Sequence, residues 1–156
     1  MPLLFCFFLA LAAPADASVK IDLDFEAARA ILALPGTHPS DDDLQRIAAL
    51  PGVEALIRHG ARFTPDTYTR EHFIAGLRAF AAGHDPQPDP FVFKRVRERL
   101  NETRSLVRGI EADPEKFKAD LIARMKPYTP PGEYQTKLTL VAGGSSDGFS
   151  PGRGQL

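Results

Sequence analysis

The stretch Ser18–Gly36, SVKIDLDFEAARAILALPG, changes its period partway along. Val19, Ile21, Leu23 and Phe25 alternate with polar neighbours, the two-residue period of a strand with one covered face. From Phe25 onward the apolar residues Phe25, Ala28, Ile31 and Leu32 fall at helical spacing, and Pro35-Gly36 stops the run. A strand that feeds a helix this early needs a partner for its own backbone groups. The other strand pattern lies near the opposite end, Tyr134 to Ala142 in EYQTKLTLVAGG, where the chain runs straight into glycines. Either these two segments pair with each other, or the partner of the second is absent from this chain.

Everything between them reads as helix and turn. In HPSDDDLQRIAAL, Ser40 is placed to cap a helix whose first turn carries Asp41 to Asp43, where carboxylates satisfy free N–H groups and complement the helix dipole. A short helix follows Pro51 and ends near Gly60. The next opens at Thr64-Pro65-Asp66 or Thr67, carries Phe73, Leu77 and Phe80 on one stripe, and ends at Gly83. GHDPQPDP, with its alternating prolines, is an extended loop. The longest helix is FVFKRVRERLNETRSLVRGI, with Val92, Val96, Leu100, Thr103, Val107 and Ile110 as its apolar stripe. A last helix starts at Asp113-Pro114, turns Phe117, Leu121 and Met125 inward, and stops at Pro127. The fold class expected is mainly α with a small β element (α+β): an array of about five or six helices, then a C-terminal strand and a glycine-rich loop.

The front end is of a different kind. MPLLFCFFLALAAPADAS holds an apolar run from Leu3 to Ala13, too short for the roughly 20 residues that a bilayer span needs. The spacing of Ala15 and Ala17 about Asp16 fits cleavage after Ala17, so residues 1–17 read as a secretory signal peptide, with no Lys or Arg ahead of the apolar run. Residues 18–149 then form the helical domain, 150–156 a disordered tail, and the protein is secreted or periplasmic.

All 19 Lys and Arg lie beyond the signal, against 19 acids once Asp16 is removed. A neutral chain has no general electrostatic pull toward nucleic acid or anionic membrane, and no integral membrane segment is expected in the mature chain. The single cysteine, Cys6, leaves with the signal, which removes thiolate ligands and disulfides.

Several motifs invite a catalytic reading and lack its context. Gly144-Ser145-Ser146-Asp147-Gly148 matches G-x-S-x-G after a strand, but a nucleophile elbow also needs a following helix and a later acid and histidine. His38, His59, His72 and His84 all precede it. No Lys-Ser or Lys-Thr follows the glycines, so the loop is not a phosphate-binding loop, and Asp147-Gly148 is a good tight-turn pair. The three adjacent aspartates lack the alternating ligands, central Gly and distal Glu of a calcium loop. Glu71-His72 has no second histidine four residues on, so no zinc helix is present. Lys94, Arg97, Arg104 and Arg108 share the helix face opposite the apolar stripe and read as a solvated face with Glu98 and Glu102 as partners. Asn101-Glu102-Thr103 is a formal glycosylation sequon in mid-helix.

IDLDFEAARAILAL just after a signal, then a helical region, then TKLTLVAGGSSDGF, resembles the N-terminal part of a bacterial family of zinc-dependent peptidases. Those proteins, often secreted or lipid-anchored, are similar to the thermolysin-like gluzincins. The matching residues are Ile21 to Leu34 and Leu138 to Phe149, with a looser helical correspondence between them. In that family the strand and glycine turn precede a His-Glu-x-x-His helix, and zinc-activated water attacks a peptide carbonyl with glutamate as base. Residues 1–156 hold no such helix, so no zinc ligand or catalytic base is carried over to any residue here.

What the resemblance implies is a non-catalytic N-terminal portion of a secreted zinc metallopeptidase, from a truncated or split gene and inactive alone. Zinc belongs to the full-length family, and a peptide or protein substrate only to the complete enzyme. Leu138, Leu140, Gly143, Gly144, Asp147, Gly148 and Phe149 would form the strand and loop at the edge of its active site. The alternative is a complete exported helical binding module without enzymatic activity. A Ser146 hydrolase is the third class, and there the outcome expected is negative: a serine-reactive probe leaves no covalent adduct, and labelling at Ser146 would reverse that reading.

Overall fold

The computed structural model describes residues 17–144. Its order is β1 (Ala17–Asp24), α1 (Glu26–Ala33), α2 (Asp41–Ala48), α3 (Pro51–Ala61), α4 (Arg70–Ala81), α5 (Phe93–Glu98), α6 (Leu100–Ala112), α7 (Pro114–Met125), a short 3-10 turn (Lys126–Tyr128) and β2 (Gly132–Thr139). The fold is therefore mainly α with a small β element. Among the described residues no helix is long and apolar enough to cross a membrane. The tail and residues 1–16 of the expected signal lie outside the described residues, while Ala17, the last residue of that signal, is the first of β1.

The two strands find each other. β1 and β2 run parallel, with Ala17 beside Gly132, Leu23 beside Leu138 and Asp24 beside Thr139. The expectation that β2 could lack its partner is thus answered within the chain, and its ladder covers Gly132–Thr139 rather than Tyr134 to Ala142. Side chains alternate: Ser18, Lys20, Asp22, Glu133, Gln135 and Lys137 face solvent, while Val19, Ile21, Leu23, Tyr134, Thr136 and Leu138 turn to the covered face.

The core belongs to the helices. Phe73, Phe80, Phe91 and Phe93 are among the largest fully buried side chains. Phe73 meets Phe91 edge-on, with ring centres 4.9 Å apart, and lies 5.4 Å from Phe93. Such tilted and edge-to-face contacts suit the aromatic quadrupole. The stripe expected on α4 (Phe73, Leu77, Phe80) is fully buried, as are Ala28, Ile31 and Leu32 of α1, with Phe25 packed partly against them.

Caps follow the sequence closely in two places. Ser40 Oγ accepts from the Asp43 N–H at 3.2 Å, and Asp43 Oδ2 accepts from the Ser40 N–H at 3.1 Å, a complete capping box. Asp113 Oδ1 accepts from Lys116 N–H at 3.0 Å and caps α7. The start of α4 is a correction: Thr64 and Thr67 belong to a turn, closed by Thr67 N–H donating to Thr64 O at 3.1 Å. Thr69 is the cap, its hydroxyl accepting from His72 N–H at 3.1 Å.

The longest expected helix is two helices. The backbone leaves helical geometry at Arg99 (φ −113°, ψ 26°) between α5 and α6. Thr103 donates its hydroxyl to the Arg99 carbonyl at 3.0 Å, four residues back, a competition with the helical ladder that bends helices. On α7 the inward stripe is only partly realised: Phe117 and Leu121 are half-buried, Met125 is exposed, and none of its residues is fully buried.

Two helical glycines make opposite predictions. A Cβ at Gly76 would sit 2.7 Å from the Phe93 ring, whereas a Cβ at Gly109 meets nothing within 4 Å. Gly76→Ala is expected to lower stability by about 1–3 kcal/mol through overpacking. Gly109→Ala, on an exposed helical turn, is expected to raise it by about 0.5–1 kcal/mol. Urea midpoints of the two variants against wild type check both signs.

Candidate functional site

The site begins at Asp24, the last residue of β1. Its carbonyl accepts from the Leu140 N–H at 2.8 Å, just past β2, and the Leu140 carbonyl accepts from Ala28 N–H in the first turn of α1 at 3.1 Å. The side chain adds two more bonds. Oδ1 accepts from Glu26 N–H at 3.0 Å, and Oδ2 takes the Lys137 ammonium at 2.8 Å. The lysine's hydrogen bond, then the Glu26 amide, hold the Asp24 carboxyl below its ordinary value. The same bond holds the Lys137 ammonium protonated to higher pH than usual.

Beyond Leu140 the chain drops into the helical layer. Ala142 is buried, Gly143 N–H donates to Val141 O at 3.1 Å, and Gly144 N–H donates to Phe91 O at 2.8 Å. Gly144 has φ 97°, and a Cβ there would lie 2.9 Å from Leu56. Both backbone conformation and close approach therefore require glycine at this position.

Opposite the glycines lies an open cleft of about 420 Å³. Its apolar lining is Val92, Val96 and the exposed Leu106, and Arg95, Arg99 and Glu102 line it beside them. Arg99 Nη2 and Glu102 Oε2 pair at 2.6 Å, so the one carboxylate is neutralised by its neighbour. Val92, just before α5, has left-handed backbone (φ 52°, ψ 34°), a costly conformation for a β-branched residue. Asp89 holds the segment, its carboxylate accepting from Phe93 and Lys94 N–H, each at 2.9 Å. Among the described residues that line this cleft there is no histidine, and its only acid is the paired Glu102.

Of the sequence-predicted edge residues, Leu138 lies beside Leu23 in the ladder, Leu140 is pinned between Asp24 and Ala28, and Gly143 and Gly144 form the wall of the cleft. Asp147, Gly148 and Phe149 lie outside the described residues, as does Ser146. Phe91, Val92 and Asp89 lie outside the sequence-predicted edge. Their signal was the apolar alternation of Phe91 and Phe93 directly after the Pro-rich loop.

The histidines stay apart. His72 Nδ1 hydrogen-bonds the Thr67 carbonyl at 2.9 Å, His59 stacks edge-on to Phe63, and His38 and His84 are exposed. No group of three or more His, Cys, Asp or Glu side chains is placed to hold a metal among the described residues. The described residues do not fit a zinc site.

The basic face of α5 and α6 finds partners outside its own helices. Arg97 pairs with Asp85, Lys94 lies 3.6 Å from the same carboxylate, and Arg104 donates to the Leu32 carbonyl at 2.6 Å. Comparison with protein-family models, curated proteins and solved structures gives no match.

A carboxylate held below its ordinary value adds stability that is present above the unfolded-state value and lost as pH falls through the folded one. Asp24→Asn is therefore expected to melt at a lower temperature than wild type at pH 7. The gap should begin to narrow as pH falls below about 4, the ordinary aspartate value, and close only once pH has passed below the depressed value of folded Asp24. Thermal melts of both proteins at a series of pH values read this directly.

Proposed function

We propose that residues 18–149 are the non-catalytic, helical N-terminal portion of a secreted zinc-dependent metallopeptidase, with zinc and the catalytic base supplied from outside these residues. One observation supports it above others. The two segments that carry the family resemblance are far apart in sequence, yet they lie side by side: Leu23 pairs with Leu138, and Ala28 N–H bonds the Leu140 carbonyl. In this reading the helices hold β2 in place and deliver the Gly143–Gly144 turn to the edge of a peptide-binding site. The residues act by position, not by chemistry.

A second reading has its own support. The aromatic core of α1 to α6 is closed around Phe73 and Phe93, and the Arg-rimmed cleft is open beside it. An exported helical binding module would look like this and would unfold cooperatively on its own.

The purified chain is expected to carry no stoichiometric zinc by elemental analysis and to leave a peptide-substrate library uncut. Tight zinc together with peptide cleavage would overturn the scaffold reading.

A further inference from the structure

We propose that the outer edge of β2 pairs antiparallel with β2 of a second copy of this chain, joining two sheets into one of four strands. This surface rests on strand geometry and charge, independently of the peptidase reading. Leu140 turns both its N–H and its C=O inward, to Asp24 and Ala28. In a parallel ladder such residues alternate, so Tyr134 and Thr136 also bond inward to β1. Glu133, Gln135 and Lys137 then present N–H and C=O on the other edge, and among the described residues no loop or turn hydrogen bond reaches them. Their side chains are exposed. Among the described residues α7 packs against β1, and no helix packs against β2 to the same extent.

The five residues Glu133-Tyr-Gln-Thr-Lys137 read as a charge palindrome. Pairing about a two-fold axis at Gln135 sets Glu133 opposite the partner's Lys137 and Lys137 opposite the partner's Glu133, so that each lysine, already on Asp24 of its own chain and still largely exposed, gains a second carboxylate. Each outward-facing residue then meets an outward-facing residue, which is the hydrogen-bonded pair of an antiparallel ladder. On the other face Tyr134 meets the partner's Thr136, an aromatic against a β-branched side chain, a favourable cross-strand pair. A one-step slip in register loses both charge pairs, so the sequence selects its own copy and a single alignment. Extension also removes an exposed edge from a two-stranded sheet, which is marginal alone.

Sedimentation equilibrium of the full purified chain, over a concentration series, tests this. Wild type is expected to move from one to two chain masses. Gln135→Pro removes an outward N–H without touching the β1 ladder, and is expected to stay monomeric with an unchanged helical circular dichroism spectrum. Glu133→Lys, which leaves the Asp24–Lys137 pair in place and sets lysine opposite lysine twice, is expected to stay monomeric with an unchanged helical circular dichroism spectrum. A wild type that remains monomeric throughout overturns the proposal. So does a Gln135→Pro or a Glu133→Lys variant that dimerises like wild type, which would put the interface elsewhere.

Discussion

Asp24 is where the fold is tied together. Its carbonyl receives the chain returning from β2, its carboxylate starts α1, and the same carboxylate takes the Lys137 ammonium. Parallel strands cannot be joined by a hairpin, so a crossover must lie between them. Here all seven helices among the described residues form that crossover. Closing so long a segment costs only slowly more entropy as length grows, but the cost falls before any strand contact is made. The repayment comes from the phenylalanine cluster of α4 and the Phe91–Phe93 segment, not from the two-stranded sheet.

That division explains an unusual surface. Parallel sheets normally have both faces covered, yet this one exposes Lys20, Asp22, Glu133 and Lys137 on one side. Its polar groups find partners across the strands: Lys137 reaches Asp24, and the Gln135 amide donates toward Asp22 at 3.5 Å. The covered side is only half sealed, since Ile21 alone among the strand residues is fully buried and α7 contributes no fully buried side chain. The structure thus grades from a tight helical core to a lightly held sheet and seventh helix. Local opening is expected to start at that lighter end, where few apolar contacts must be broken.

The sequence was readable wherever a local signal and a tertiary demand agreed. Ser40 with Asp43 and Asp113 with Pro114 are complete local instructions, and both helices start where those residues say. Phe73, Leu77 and Phe80 are spaced for one face, and that face is the core. Where the decision was tertiary, pattern alone could not make it. The stripe from Val92 to Ile110 is continuous, yet Asp89 captures the Phe93 and Lys94 amides and Thr103 bends the backbone at Arg99. Thr64 and Thr69 are equally good caps by residue type. Packing chose the second, with Tyr68 laid flat against Gly60 and ring-to-ring on Phe91.

The candidate site shows the same boundary more sharply. Glycines after a strand suggest a loop built to approach a ligand, and the sequence offered two catalytic motifs that could use one. In the fold, Gly144 approaches protein instead: its N–H is spent on the Phe91 carbonyl and its missing side chain makes room for Leu56. The requirement for glycine is therefore fully accounted for by packing at that residue. What packing does not explain is Val92, a β-branched residue in left-handed backbone beside the same cleft. Strain of that kind costs of order 1–3 kcal/mol and persists only when its surroundings over-determine it. The Asp89 clamp on one side and the Gly144–Phe91 bond on the other supply that constraint. Together they fix the backbone on one side of the cleft, beside Arg95 and Arg99, so that the strain at Val92 is held by contacts to both of its chain neighbours.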